Sequence, residues 1–224
     1  MSINSKIHEF CIFVREKIQM NIAIIGTGNV GGALATKWAK KGHQIYLGVR
    51  DTANFKGQDL LNNSNTAALL IQEAVEKAEV IVLATPAMMA TEVTQSLGDT
   101  TGKVIIDTMN IVMGRGPAGY SNTTDAVLKN TNTTDVVKCF NTTGFNNMEN
   151  PKYGDQVLDA FVAGDSTKGK EIAQQLALDA GFANCYNVGG NDRFELMEKF
   201  AFFLINLAMF QGQGREIGFK LLKR

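Results

Sequence analysis

The sequence is poor in the side chains from which many catalytic and metal centres are built. Only two histidines occur in 224 residues, His8 near the start and His43 before the second predicted strand. There is no Tyr-x-x-x-Lys pair and no His/Cys cluster with the spacing of metal ligands. A dehydrogenase that oxidises an alcohol commonly needs His, Lys or Tyr to accept the hydroxyl proton. The sequence therefore indicates no metal site and leaves the catalytic residues unknown, and His43 is predicted to lie at the surface.

Disulfides, net charge and long apolar runs are also lacking. The three cysteines, Cys11, Cys139 and Cys185, are scattered and form no Cys-x-x-Cys pair, which favours a reducing, cytoplasmic compartment. Lys plus Arg and Asp plus Glu number 22 each, so no net charge attracts nucleic acid or an anionic membrane. The most apolar stretch, residues 200–210, is shorter than the about 20 residues that span a bilayer. We therefore expect neither a nucleic-acid nor a membrane partner.

Short apolar runs alternate with helical patterns along most of the chain. Strands that alternate with helices of about 10 to 15 residues are typical of α/β proteins with a doubly wound, mostly parallel sheet. The predicted strands cover residues 22–25, 44–49, 80–84, 103–108, 135–140, 158–164 and 183–188. The predicted helices cover residues 29–41, 67–78 with Thr66 as N-cap, 167–180 and 192–209, with a short helix between the third and fourth strands, and a glycine-rich loop is predicted over 109–120.

The first strand leads into a glycine-rich turn, Gly26-Thr27-Gly28-Asn29-Val30-Gly31. Strand, GxGxxG and helix in this order are typical of a dinucleotide-binding site. Gly26 permits the tight turn, Gly28 lets the backbone approach a pyrophosphate, and Gly31 lets the helix pack closely on the sheet. The pyrophosphate is then expected at the helix N-terminus, on free backbone N–H groups.

The end of the second strand predicts which dinucleotide is bound. A site selective for NAD usually has Asp or Glu there, facing the ribose 2′-hydroxyl. Here the strand ends at Val49, and Arg50 is the first polar side chain. A guanidinium matches a phosphate in charge and geometry, so Arg50 favours NADP(H), with a further hydroxyl from Thr27. The alternative is that Asp51 turns in to the ribose, if the strand ends one residue later.

Further candidate residues follow the third and fourth strands. Thr85 and Pro86 follow the third predicted strand, and residues 107–110 lie at the end of the fourth. Ligands of open α/β sheets bind beyond the carboxyl ends of the strands. We therefore expect these positions to flank the pyrophosphate and the nicotinamide ribose.

The lack of an acid–base group is itself informative. If donor and acceptor are both redox cofactors, the protein need only hold two rings in register. The chain then fits either hydride transfer from a nicotinamide to a flavin-like ring or an NADPH-binding redox sensor without chemistry. A third possibility is a hydroxyacid or alcohol dehydrogenase with Lys138 or Asp107 as proton shuttle.

Five segments between about residues 20 and 222 form a more specific pattern: IAIIGTGNVGGALA, LGVR, VVKCFNTTG, FVAGD and INLAMFQGQGREIGFKLL. Together they resemble the NADPH-dependent reductases of the 5-deazaflavin coenzyme F-420 and their relatives. The resemblance implies a Rossmann-like domain with a small C-terminal part, a homodimer and NADP(H) as cofactor. It also implies phosphate contacts from residues 27–30, with Arg50 on the 2′-phosphate, and places the glycine tail beside the second ring. The family's serine before the arginine is Val49 here, and Lys56 is only a loose substitute for its following lysine.

These observations lead to one interpretation of the whole chain. Residues 1–19 are predicted to be an N-terminal extension and 20–224 an NADP-binding domain, in which about 145–224 complete the acceptor site. The predicted function is hydride transfer between NADP(H) and a flavin-, deazaflavin- or quinone-like acceptor, with the sensor as alternative. The predicted cofactor-binding residues are Gly26, Thr27, Gly28, Asn29, Val30, Gly31, Val49, Arg50, Thr85, Pro86 and Asn110. The predicted acceptor pocket comprises Asn141, Thr142, Gly212 and Gly214.

Overall fold

The structure is a computed structural model that describes residues 19–224. The spacing of the apolar residues 7, 10, 11, 14 and 18 in the N-terminal extension predicts a short amphipathic helix, which, like His8, lies outside these residues. The strands are β1 (Asn21–Ile25), β2 (Gln44–Val49), β3 (Thr66–Leu70), β4 (Val80–Leu83), β5 (Val104–Asp107), β6 (Val136–Cys139), β7 (Lys152–Tyr153), β8 (Gln156–Val157), β9 (Ala160–Ala163) and β10 (Cys185–Gly189). The α-helices are α1 (Asn29–Lys41), α2 (Ile71–Lys77), α3 (Ala90–Gln95), α4 (Thr123–Lys129), α5 (Phe145–Glu149), α6 (Thr167–Ala180) and α7 (Phe194–Ile205).

Eight strands form one sheet in the order β10-β9-β6-β5-β4-β1-β2-β3. The six strands from β3 to β6 are parallel, and their order is that of the doubly wound dinucleotide-binding sheet. Strand β9 is antiparallel to β6 and parallel to β10. The predicted fold class is therefore confirmed, and the strand order reverses between β1 and β4, where such sheets bind their ligands.

Helices cover both faces of the sheet, which explains why the central strands are almost continuously apolar. All four residues of each of β4, β5 and β6 are buried. On one face the indole of Trp38 on α1 is fully buried, and its Nε1 donates to the carbonyl of Leu176 on α6, 2.8 Å away. This contact ties together the two helices that cover that face. Within residues 19–224, every helix is too short or too polar to cross a membrane.

Two predicted helices differ from those in the structure. Residues 66–70 form the edge strand β3 rather than a capped helix, because they pair in register with β2, Ile45 with Thr66 through Val49 with Leu70. Only Ile71–Lys77 is helical. The last helix begins with a 3-10 turn, Asn191–Arg193, and ends in a π turn, Asn206–Phe210.

Three elements were not predicted from the sequence: α4, α5 and the β7–β8 hairpin. For α4 the signal was present, since Asn122 accepts a hydrogen bond from the N–H of Asp125, three residues on. Residues 145–224 contribute β9 and β10 to the same sheet as β1. The assignment of this part to the acceptor site stays a prediction.

Candidate dinucleotide and acceptor site

The turn between β1 and α1 has a backbone that only glycine allows at two positions. Gly26 has φ +105°, and a Cβ there would lie 2.5 Å from the carbonyl oxygen of Ala84. A Cβ on Gly31 would lie 1.9 Å from the carbonyl oxygen of Gly26. At Gly28, in contrast, an added Cβ would meet nothing within 4 Å. Gly28 therefore faces open space at the N-terminus of α1, which fits a site where a pyrophosphate approaches the backbone.

This turn lines a cavity of about 720 Å³ along the carboxyl ends of β1, β2 and β4. Its volume lies within the range of typical cofactor sites. The cavity brings together seven of the predicted cofactor-binding residues: Gly26, Thr27, Gly28, Val49, Arg50, Thr85 and Pro86. The other four lie elsewhere. Asn29 lines a neighbouring groove, Val30 packs against the core, Gly31 is buried, and Asn110 lines a separate cavity.

Arg50 and Asp51 differ in what their side chains do. Strand β2 ends at Val49 as predicted, and Arg50 is exposed at the cavity. Asp51 Oδ1 accepts from the backbone N–H groups of Ala53 and Asn54, at 2.9 and 3.3 Å. This carboxylate oxygen therefore caps its own loop, and Arg50 is the side chain left for a ligand. The cavity is also lined by one further cation and one further acid, Lys56 and Glu92.

The loop after β2 folds back over the glycine turn. The hydroxyl of Thr27 donates to the carbonyl of Lys56. A Cβ on the next residue, Gly57, would lie 2.9 Å from the carbonyl oxygen of Thr27. The Thr27 hydroxyl hydrogen that was predicted to reach the 2′-phosphate is thus already engaged. Lys56 lies closer to the turn than its sequence spacing suggested.

A second groove, of about 500 Å³, runs along the outer side of α1 from the same turn. Lys37 and Lys40 line it together with Lys56. Partial burial, together with repulsion from Lys40 and Lys41, lowers the pKa of Lys37 below its ordinary value. Of these cations only Lys56 lies beside the N-terminus of α1, whereas Lys37 and Lys40 lie toward its C-terminus, and Asp59 and Glu149 also line the groove.

Polar contacts lead from the dinucleotide cavity to the next strands. The hydroxyl of Thr85, after β4, lies 3.3 Å from the sulfur of Met109, after β5. The adjacent residue, Asn110, donates its amide to the carbonyl of Asn141, after β6, at 2.8 Å. Asn141 Nδ2 donates in return to Asn110 Oδ1, at 2.9 Å, and to the carbonyl of Met197 on α7, at 3.1 Å. The carboxyl edge of the sheet is therefore one connected surface from Thr85 to α7.

At the end of this surface lies a cavity of about 280 Å³. Of the predicted acceptor residues, Asn141 lines it, whereas Thr142 is buried beside it and Gly212 and Gly214 are exposed outside it. The tail nevertheless reaches the cavity through two residues beyond these glycines, Arg215 and Ile217. The cavity is lined by Asn110, Asn141, Thr143, Gly144, Asn146, Ala201, Leu204, Ile205, Ala208, Met209, Arg215 and Ile217.

Two neighbouring asparagines of α5 hold the tail in place. Asn146 Nδ2 donates to the carbonyl of Arg215 at 2.9 Å, and Asn147 Nδ2 donates to the carbonyl of Ile217 at 2.7 Å. Because these amide nitrogens face carbonyls, the orientation of both side-chain amides is determined. The amide of Asn141 is oriented in the same way, by its contacts with Asn110 and Met197. The Oδ1 atoms of Asn141 and Asn146 are therefore buried acceptors without a hydrogen-bond partner among residues 19–224. A buried acceptor left without a donor is costly, and both atoms belong to side chains that line the cavity.

Behind the cavity lies a buried ionic network that the sequence did not reveal. The ammonium of Lys138 lies 2.9 Å from Asp107 Oδ2 and 2.8 Å from Glu198 Oε1. The side chains of Lys138 and Asp107 are fully buried, and Glu198 is 5% exposed. Lys138 also donates to the carbonyl of Met109 and lies within hydrogen-bond distance of the hydroxyls of Thr123 and Thr124. Lys138 and Asp107 are therefore held in a closed network and do not line the cavity. A proton shuttle must come within hydrogen-bond distance of the substrate, so neither residue is placed for that role.

Glu198 is the site residue that sequence reasoning missed. It lies on the buried side of α7 with Phe194, Met197, Ala201 and Leu204. An acid in the apolar stripe of a helix was the available signal, since a buried carboxylate needs partners. His43 was also misjudged. It is 3% exposed rather than at the surface, because Asp179, 3.2 Å away, pairs with it.

The two described thiols are not a candidate nucleophile pair. Cys139 Sγ lies 3.9 Å from Cys185 Sγ, and burial raises the pKa of the Cys139 thiol well above its ordinary value. The two cysteines lie on β6 and β10, which are separated by β9. Adjacent strands lie about 4.8 Å apart, so the Cα atoms of the two cysteines are separated by two such spacings. This distance exceeds the Cα separation that a disulfide bridges. Within residues 19–224 no group of three or more His, Cys, Asp or Glu is placed to hold a metal ion.

Comparisons with known proteins agree with this geometry. Residues 21–111 match the family model described as NADP oxidoreductase, coenzyme F420-dependent. A glycerol-3-phosphate dehydrogenase [NAD(P)+] of Thermoanaerobacter sp. (strain X514) is 23% identical over 181 residues, which are 73% of this chain and 51% of that protein. The chain thus spans about half the length of this relative.

Solved structures show the same fold at low identity. A structure described as an F420-dependent NADP reductase from Arthrobacter sp. FB24 has a TM-score of 0.78 at 21% identity, over 91% of this chain and 100% of that one. A reductive aminase from Aspergillus terreus, in complex with NADPH and ethyl levulinate, has a TM-score of 0.63 at 17% identity, over 87% of this chain and 63% of that one.

The fold and the glycine turn define a Rossmann-like dinucleotide-binding protein. Over residues 21–111 the chain is similar to the coenzyme F420-dependent NADP oxidoreductases. The family resemblance predicted from the sequence is confirmed for this segment.

Proposed function

We propose that this chain transfers hydride between NADP(H) and a flavin-, deazaflavin- or quinone-like acceptor. The observation that carries the proposal is the composition of the 280 Å³ cavity. Its lining contains asparagines, a threonine and apolar side chains, and among residues 19–224 only one ionisable side chain, that of Arg215. A site of this kind can hold a ring and orient it but has no group to take a proton from an alcohol.

The dinucleotide is expected to run along the carboxyl edge of the sheet. Its adenosine half belongs in the 720 Å³ cavity, its pyrophosphate at Gly28 and its nicotinamide half beyond Thr85, near Asn110. When bound, it supplies the hydride. The C4–H bond of the dihydronicotinamide breaks, and the hydride with its electron pair forms a new bond to a ring atom of the acceptor. A proton from solvent completes the reduction.

We propose NADP(H) rather than NAD(H) as the cofactor. Arg50 is exposed at the end of β2, whereas one oxygen of Asp51 is used within its own loop. Lys56, in the loop that covers the turn, is the second cation of the cavity. An arginine and a lysine near the ribose favour a 2′-phosphate over a 2′-hydroxyl.

Within the proposed acceptor classes, the unpartnered Oδ1 atoms favour a ring that carries an N–H group. Flavins and deazaflavins have a lactam N–H, whereas an oxidised quinone has only carbonyl acceptors. A donor brought to Asn141 Oδ1 would satisfy an atom that the protein leaves unpaired. Arg215 at the rim suits an acidic substituent on the same molecule.

We further propose that the chain forms a homodimer and acts in the cytoplasm. Exposed apolar side chains on α7 and the following turn, among them Phe203 and Phe210, support an interface there. The odd number of cysteines and the lack of a Cys-x-x-Cys pair support a reducing compartment.

The test is anaerobic oxidation of NADPH by the full chain with riboflavin, a deazaflavin and a quinone as acceptors, followed by loss of NADPH absorbance. We expect faster oxidation than in enzyme-free mixtures, and faster with the lactam-bearing rings than with the quinone. N3-methylated riboflavin, which lacks the lactam N–H, is the matched control. Saturable NADPH binding without turnover by any acceptor would contradict the proposal and favour the redox sensor.

A further inference from the structure

We propose that Glu198 is a positioning residue for the second-substrate step. Through Lys138 and Asp107 it fixes the backbone on both sides of Asn110 and the position of α7 over the acceptor cavity. The inference rests on the proposed function, because the cavity that Glu198 positions is the one assigned to the acceptor.

The contacts of the Glu198 carboxylate reach three different segments. Oε2 accepts from the backbone N–H of Ile111 at 2.8 Å. Oε1 accepts from the backbone N–H of Thr123 at 2.9 Å, and the Lys138 ammonium lies 2.8 Å away. One side chain of α7 thus holds the loop after β5, the start of α4 and the centre of β6.

These contacts leave Asn110 little freedom. Asp107 Oδ1 accepts from the N–H of Met109, and Lys138 donates to the carbonyl of Met109, at 2.8 and 2.9 Å. On the other side, Glu198 holds the N–H of Ile111. The peptide groups on both sides of Asn110 are therefore fixed, and its side chain is directed to Asn141 at the cavity.

The same residue sets the position of α7. The carbonyl of Met197 accepts from Asn141 Nδ2, so residues 197 and 198 both bind the carboxyl edge of the sheet. One and two turns further on, Ala201, Leu204 and Ile205 line the cavity. A shift of α7 at Glu198 changes the width of the cavity, whereas the dinucleotide cavity is lined by residues 25–96 and lies apart from α7.

Stability alone does not explain such a network. Desolvation of two carboxylates and an ammonium offsets most of their attraction, and well-packed apolar side chains often serve as well. What apolar side chains cannot do is hold the N–H of Ile111 and the carbonyl of Met109 at set positions. The network is therefore best explained by the geometry that it imposes on Asn110 and α7.

The first experiment compares Glu198→Gln with a control, Asp179→Asn. The control also removes one charge from a partly buried pair, His43–Asp179, which lies at the opposite edge of the sheet. We expect Glu198→Gln to lower kcat/KM for the acceptor on the order of tenfold to a hundredfold, because small misplacements of reacting groups cost that much. The Kd of NADPH should change by less than kcat/KM, because the adenosine and pyrophosphate contacts are expected in the 720 Å³ cavity and only the nicotinamide half lies near Asn110. The control should leave both constants within about twofold.

The second measurement needs no turnover. In Glu198→Gln, hydrogen exchange of the full chain should become faster at residues 109–111 and at Thr123 and stay unchanged at residues 26–31. In Asp179→Asn, exchange should be unchanged at all of these positions. Unchanged exchange at 109–111, or an equal kinetic loss in the control, would overturn the inference. A wild type that binds NADPH but reduces no acceptor would instead refute the proposed function, and exchange would then decide alone whether Glu198 fixes this segment.

Discussion

At the scale of single residues, the end of β2 shows how one position decides a preference. Val49, Arg50 and Asp51 are consecutive, yet only Arg50 presents its side chain to the dinucleotide cavity without a competing loop contact. This could be predicted because strand ends are short-range features. The role of Glu198 could not be, because its partners Ile111 and Lys138 lie 87 and 60 residues away in sequence.

Arg50→Glu is predicted to weaken NADPH binding far more than NADH binding. Loss of a charge-assisted hydrogen bond costs about 1.5–3 kcal/mol, which corresponds to at least tenfold in Kd. Repulsion between the new carboxylate and the 2′-phosphate adds to it. Fluorescence titration with both dinucleotides measures the difference. Lys40→Glu, the same charge change on the outer groove of α1, is the control and should affect the two affinities equally. Equal losses in Arg50→Glu would show that another residue contacts the 2′-phosphate.

At the scale of elements, α1 was predicted to the residue, since Asn29–Lys41 is the observed helix, and β1 begins one residue earlier than predicted. This prediction was possible because glycine spacing and helix caps are features of the local sequence. Residues 66–70 were misassigned because their apolar pattern suits a helix, while pairing with the free edge of β2 makes them a strand. Edge pairing is a long-range contact that periodicity does not contain.

Substitution of two glycines in this unit is expected to affect the stability of the fold and the binding of NADPH separately. Gly31→Ala places a Cβ where the carbonyl of Gly26 lies, so we expect a loss on the order of 1–3 kcal/mol in the free energy of unfolding. Gly28→Ala meets no protein atom within 4 Å, so its stability should change by less than about 1 kcal/mol. Its methyl group projects toward the expected pyrophosphate, however, and NADPH affinity should fall. Denaturant unfolding and NADPH titration of both variants check this. Weakened stability in Gly28→Ala with unchanged affinity would contradict the assigned turn.

At the scale of the whole molecule, the sequence predicted the parallel sheet but not the way it ends. Strand–helix alternation is enough to expect parallel pairing among β1, β2, β4, β5 and β6, because parallel strands need crossover helices. The antiparallel pairing of β9 with β6 follows from the short α5 and the β7–β8 hairpin, which lack a strong apolar period. The acceptor cavity lies where this second part meets the first, and was therefore predicted only through the family resemblance.

The proposed homodimer is argued from the surface of that second part. Leu196 and Phe203 are seven residues apart on α7, 51% and 52% exposed, and Phe210 at the end of the π turn is 56% exposed. Apolar side chains at this spacing form one stripe of a helix, the pattern of a helix–helix interface. A charge at its centre should be buried without a partner in a dimer but solvated in a monomer. Phe203→Glu is therefore expected to give a monomer in light scattering where the wild type is a dimer. Leu178→Glu, at an exposed position of α6, should leave the dimer intact. A wild type that is monomeric at micromolar concentration, or a Phe203→Glu variant that stays dimeric, would show that the stripe is not the interface.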